Sequence, residues 1–156
     1  MMRLNIEYPI DREAYEFKNS LNGLDKGIKA LAAMLNRNGK GEVFFGVSKE
    51  GDVTGLKGQI GVETIKMVEE RISETMKPAV TPTTIIEEYG GKKVIHVIVK
   101  GNDKPYAANG DYRIRIEDGN KKIDPELMAK LFYESDRTAL DSIESVEQNL
   151  NFSLLC

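Results

Sequence analysis

The sequence predicts a mixed α/β (α+β) domain in which a largely antiparallel sheet packs with about three helices. Three observations carry that prediction: apolar residues recurring at helical spacing, a short continuous apolar run fenced by glycines, and a Gly-Gly pair between two β-rich segments. The 156 residues, 40% of them hydrophobic, suffice to bury one core without disulfides or a metal.

The first helix is expected from about Leu24 to Leu35, where Leu24, Ile28, Leu31, Ala32 and Leu35 form one stripe, and it stops at Asn38-Gly39. Glu42 to Val47 then reads as a strand buried on both faces, since Val43, Phe44, Phe45 and Val47 leave no polar alternation. A second helix is predicted over Val62 to Met76, with Ile65, Val68, Ile72 and Met76 on one face and Pro78 closing it.

Thr83 to Glu88 and Lys93 to Val99 flank Gly90-Gly91, which suits a tight antiparallel hairpin. From Asp111 to Ile116, Tyr112, Ile114 and Ile116 alternate with Arg113 and Arg115, the period of a strand with one wet face, so both arginines are expected to point outward. Asp124-Pro125-Glu126 reads as a helix start with an Asp cap and Pro in the first turn. The domain is expected to span 1–137. The tail from Thr138 to Cys156 has three acids and no Lys or Arg, and reads as the start of a following region.

With one cysteine, Cys156, no intrachain disulfide can form and Cys-rich zinc patterns are absent. No run reaches the roughly 20 apolar residues of a membrane span, and the first ten residues lack a signal-peptide core, so a cytoplasmic protein without membrane attachment is expected. There is no phosphate loop of the Walker type, and neither Asn38 to Gly41 nor Lys57 to Gly61 fits a dinucleotide fingerprint. His96, the sole histidine, lies within an apolar strand and reads as a packed, hydrogen-bonded side chain.

The formal net charge is only -3, so any basic surface must be local. Between Gly90 and Lys122, eight basic residues stand against four acids. If the hairpin and the Arg113–Arg115 strand share a sheet, these cations line one rim and gain affinity for phosphates by counterion release. Tyr106 and Tyr112 lie among them as candidate stacking residues. A second constellation gathers Asp11, Glu13, Glu16 and Lys18 near a first strand, with Glu50 and Asp52 beyond the central one. Such carboxylates are the hard oxygen ligands of a divalent metal in metal-assisted hydrolysis.

In order, Glu16-Phe17-Lys18, Asn36 with Gly39 and Gly41, Phe45-Gly46-Val47, Gly51 and Gly55, Lys104-Pro105-Tyr106 and Tyr112 to Arg115 resemble the successive motifs of the Schlafen AlbA_2 family over about residues 7–137. The resemblance implies a nucleic-acid-binding module, often N-terminal in bacterial proteins of transcriptional-regulator type, where an ATP-binding or winged-helix region follows. ATP would concern only such a further region.

Some Schlafen proteins are RNA-cleaving enzymes with three carboxylates. By position the first falls at Asp11, the second at Glu16, and the third at Ser48, which cannot replace a carboxylate as metal ligand. The resulting expectation is a non-catalytic, sequence-tolerant DNA- or RNA-binding regulatory domain without a cofactor. Its contacts are expected at Lys18, Lys92, Lys93, Lys104, Tyr112, Arg113 and Arg115. The alternatives are an Mg²⁺- or Mn²⁺-dependent ribonuclease using Asp11, Glu16, Glu50 and Asp52, and a protein-interaction module, with a homodimer among its forms.

Overall fold

The computed structural model describes residues 13–135; Asp11, the tail from Thr138 and Cys156 lie outside them. In chain order come β1 (Tyr15–Lys18), α1 (Leu24–Asn38), β2 (Lys40–Phe45), α2 (Val62–Thr75), β3 (Met76–Lys77), β4 (Thr83–Tyr89) and β5 (Lys92–Lys100). They are followed by β6 (Ala107–Ala108), β7 (Asp111–Ile116) and β8 (Gly119–Lys122), and then by α3 over 125–135. The fold is α+β, with two mostly antiparallel sheets ordered β1-β2-β5-β4 and β3-β6-β7-β8.

The expected hairpin and the arginine strand therefore do not share a sheet: β4 and β5 belong to the first and β7 to the second. The single rim of cations is thereby corrected. Its cause is the pair of two-residue strands β3 and β6, which join the end of α2 to β7 and are too short to leave a period in the sequence.

α1 packs against both β2 and β7. A helix so placed must be apolar nearly all round. Ala30, Ala33 and Met34 are accordingly buried along with the predicted stripe, as is the polar Asn36. Its core cluster joins Val43 and Phe45 of β2, Ile95, Val97 and Val99 of β5, Val68 and Ile72 of α2, and Tyr106 and Ala108.

β2 is the interior strand expected, running parallel to β1 and antiparallel to β5. At its end Gly46 has φ 109, and a Cβ there would lie 3.1 Å from the Lys93 carbonyl. Only glycine combines that conformation with that approach. The amides of Gly46 and Val47 donate to the Lys18 carbonyl, while those of Thr54 and Gly55 donate to the Gly46 carbonyl, so the loop after β2 is held against the end of β1. Gly90 and Gly91, with φ 58 and 81, make the tight turn between β4 and β5.

Contacts divide the chain between Ile123 and Asp124 into two units. In the second, the Asp124 carboxylate accepts from the Leu127 amide at 2.8 Å and caps α3 as expected. No helix among the described residues is long and apolar enough to cross a membrane.

Candidate nucleic-acid interface

Beside the end of β1, a hollow of about 240 Å³ is lined by Glu16, Phe17, Lys18, Asn19, Lys49 and Asp118. Asn19 also lines a second hollow, of about 600 Å³, between Asn19–Asn22 and Thr54–Lys57. Thr54 to Lys57 in turn form one wall of a third, of about 700 Å³, closed by residues 58–64 and by Gly91, Lys92 and Lys93. The three are neighbours, the first and second sharing Asn19 and the second and third sharing Thr54, Gly55, Leu56 and Lys57, and together they are called the groove. Lys18 and Lys49 stand at one end and Lys57, Lys92 and Lys93 at the other.

The anchoring of the loop on β1 and β5 explains why these lysines meet. Hydrogen bonds from Gly46 and Val47 to Lys18 and from the Leu56 amide to the Lys93 carbonyl bring Lys49 and Lys57 beside the β1 end and the β4–β5 turn. Lys93 Nζ additionally donates to the Ile60 carbonyl at 3.4 Å. Lys18 Nζ lies 2.9 Å from Glu16 Oε2. The lining acids are Glu16, Asp118 and Glu63, against five lysines, so the groove is locally positive in a chain of net charge -3.

Of the expected contacts, Lys18, Lys92 and Lys93 line this groove. Lys104, Tyr112, Arg113 and Arg115 do not. Arg113 Nε donates to Asp111 at 2.8 Å and its Nη1 to the Asn120 carbonyl at 3.1 Å. This partner holds the Asp111 carboxyl below the usual range. Tyr112 and Ile116 are the exposed residues of β7, whereas Arg115 is 0% exposed.

The expectation of two outward arginines is corrected at Arg115, which is buried next to the inward Ile114, while Arg113 is half-buried and Ile116, expected inward, is exposed. Arg115 Nη2 donates to the Tyr15 carbonyl at 2.8 Å and to Glu16 at 2.7 Å, and Nη1 donates to the Asn120 side chain at 2.9 Å. A guanidinium supplied with acceptors in this way can be buried, and here it fastens one sheet to the other. Tyr106, the other candidate for stacking, is 1% exposed. Its hydroxyl accepts from the Asp103 amide, and burial pushes its pKa up.

Among the described residues the carboxylate constellation is not assembled. Glu16 is engaged by Arg115 and Lys18. Glu13 accepts from the Glu117 amide and from Arg37, and these partners, the amide first, lower its pKa. Ser48 forms a tight turn with Asp52 through its amide and its hydroxyl. Among the described residues no three His, Cys, Asp or Glu side chains are grouped to hold a metal, and Asp11 lies outside them.

His96 is packed and hydrogen-bonded as expected. Its ring stacks on Phe44 at 4.0 Å, with Nε2 2.6 Å from Glu42 and Nδ1 2.9 Å from Glu87. Lys49 and Lys57 are the groove residues that sequence reasoning missed. Their signal was the run of closely spaced glycines Gly46, Gly51, Gly55, Gly58 and Gly61, within which both lysines lie and which indicates a turn-rich loop that can fold back over a sheet end.

A sequence profile of the Schlafen AlbA_2 family matches residues 11–124. A solved structure of a Corynebacterium diphtheriae protein superposes with a TM-score of 0.61 at 18% identity, over 76% of this chain and 23% of that one. The chain therefore spans about a quarter of that protein, and the likeness is one of fold. The N-terminal domain of a RecG-related protein from Nitrosomonas europaea matches with a TM-score of 0.45 at 16% identity, over 75% of this chain and 81% of that one. No curated protein matches the sequence.

Proposed function

Because the chain belongs to the Schlafen AlbA_2 family, we propose that it is a nucleic-acid-binding regulatory domain, part of a transcriptional-regulator-like protein, that holds its ligand in the lysine-lined groove without cutting it. The observation that supports this reading is that Lys18, Lys49, Lys57, Lys92 and Lys93 all line these three neighbouring hollows. Neighbouring cations attract a polyanion and gain free energy as its counterions are released. The engagement of Glu16 by two cations, and serine at the third carboxylate position, favour binding over metal-assisted hydrolysis.

Fluorescence anisotropy with labelled oligonucleotides over a salt series, with and without Mn²⁺, tests the proposal. Binding should weaken steeply with salt, leave the oligonucleotide intact, and fall roughly tenfold or more in Lys92→Glu/Lys93→Glu. The control Lys104→Glu/Arg113→Glu reverses two charges away from the groove and should bind nearly as well as the parent. Equal losses in the two variants would reject the groove. Mn²⁺-dependent fragments lost in Glu16→Gln would restore the nuclease, and no binding at low salt would favour a protein-interaction module.

A further inference from the structure

We infer that the two larger hollows are a docking site for an acidic amphipathic segment of a partner protein. This goes beyond the nucleic-acid reading, because it is carried by aliphatic side chains from which a phosphate backbone gains nothing. Leu21 lines the hollow of about 600 Å³, Leu56 lines both, and Ile60 and Val62 line that of about 700 Å³. Leu21 and Leu56 are half-buried against the core and Ile60 is 9% exposed. Val62 is 77% exposed, more than any other large hydrophobic among the described residues. A single exposed valine is ordinary, but one that continues an apolar wall rising out of the core is a surface that a partner covers.

Cations border this wall. Lys57, Lys92 and Lys93 are exposed and line the larger hollow, with Glu63 the one acid among its described lining residues. Lys93 Nζ donates to the Ile60 carbonyl at 3.4 Å, so its charge stands beside an apolar residue. The Lys92 stem lies against Gly55, where an added Cβ would come within 3.0 Å of it, and Leu56 follows Gly55 in the chain. Both lysines are thus anchored at the edge of the aliphatic wall. Positive charge alone would suit any polyanion, and an apolar wall alone any apolar segment. Side by side they select a chain in which Leu- or Ile-type residues recur with Asp or Glu between them, the pattern by which an amphipathic segment lays apolar anchors in a groove and pairs charges at its rim.

The probe is a labelled synthetic peptide with leucines at i, i+3, i+4 and i+7 and glutamates between them, titrated against the full chain by fluorescence anisotropy beside a labelled oligonucleotide. A peptide of the same composition with its leucines scattered, and one with lysine for glutamate, are the controls. The patterned peptide should bind about tenfold more tightly than either control and, since apolar contacts are not screened, keep part of its affinity at salt that releases the oligonucleotide. Val62→Ser, a change at an exposed position, should weaken the peptide roughly fivefold and leave the oligonucleotide unaffected, while Lys92→Glu/Lys93→Glu should weaken both. Equal binding of the scattered peptide, unchanged peptide affinity in Val62→Ser, or no peptide binding at low salt would overturn the inference while leaving nucleic-acid binding in place. A dimer of the parent chain in sedimentation that dissociates in Val62→Ser would assign the wall to a second copy and overturn it too. Peptide binding without oligonucleotide binding would reject the nucleic-acid reading and uphold this one.

Discussion

Arg115 and Asn36 serve the fold by saturating acceptors and donors that the two sheets leave open. Asn36, 1% exposed on α1, donates from Nδ2 to the carbonyls of Tyr106 at 2.9 Å and Arg113 at 2.8 Å, while its Oδ1 accepts from the Tyr106 amide at 2.7 Å. Arg115 does the same between β7 and β1 with its two terminal nitrogens. Truncating one partner of a buried charged pair strands the others, so Arg115→Met should lower unfolding stability by about 3 kcal/mol. Arg115→Lys should recover less than half, because an ammonium lacks the planar fork that reaches three acceptors. Urea melts give both values through a shifted midpoint with unchanged slope. A variant of parental stability that had lost oligonucleotide binding would instead make Arg115 a ligand contact. Both residues stood out in the sequence, since they belong to the motifs that resemble the family. Their inward direction did not, because a lone arginine in an alternating strand gives no sign of acceptors a hundred positions away.

At the scale of elements, the closest packing is where α1 crosses β2. A Cβ at Gly27 would lie 2.7 Å from the Phe45 ring, which is 1% exposed and walled in by the core. Gly27→Ala should gain about 1 kcal/mol in helix propensity, yet overpacking a full core costs about 1–3 kcal/mol. Since the ring has nowhere to move, the net effect should be a lower thermal midpoint, and a raised one would show a looser interface than the geometry implies. The outer face of the first sheet carries a different linkage. His96 on β5 bridges Glu42 of β2 and Glu87 of β4. Burial pulls its pKa down, but the hydrogen bonds and charges of the two carboxylates outweigh this and hold it above the ordinary 6.5. The same hydrogen bond, with a smaller contribution from Lys40, lowers Glu42 below 4.5. A raised histidine contributes stability that is fully present below 6.5 and lost as pH climbs through its folded pKa, whereas a lowered carboxylate contributes above 4.5 and loses it in acid. The bridge should therefore stabilise most between these limits. His96→Gln should cost about 1–2 kcal/mol near pH 5.5 and progressively less above neutrality. A pH-independent deficit in parallel urea melts would assign the loss to packing on Phe44 alone.

For the whole molecule, long periodic segments were legible and their lateral arrangement was not. The stripe of α1, the apolar run of β2, the Gly90-Gly91 hairpin and the Asp124 cap each write a local period or turn signal, and the family motifs fixed the fold. Two-residue strands write none, so the second sheet and the burial of Arg115 within it were lost with them. The site was half legible for a related reason. Lys92 and Lys93 fall in the basic stretch, but Lys49 and Lys57 join them only because the loop after β2 folds back on the ends of β1 and β5. A groove that is positive within a chain of net charge -3 is tuned by its own few acids more than by the global charge. Glu63, exposed at the start of α2 and lining the hollow of about 700 Å³, is the acid to test. It opposes Lys57, Lys92 and Lys93 but favours its own helix by lying near the positive end of the dipole. Glu63→Gln should therefore act in opposite directions on two measurements. Stability should fall by about 0.3–1 kcal/mol as the favourable charge at the helix start is removed. Oligonucleotide affinity at low salt should rise roughly two- to fivefold, and the gain should disappear as salt shortens the Debye length below about 5 Å. Loss of stability without a gain in affinity would show that the polyanion does not enter the part of the groove between α2 and the β4–β5 turn.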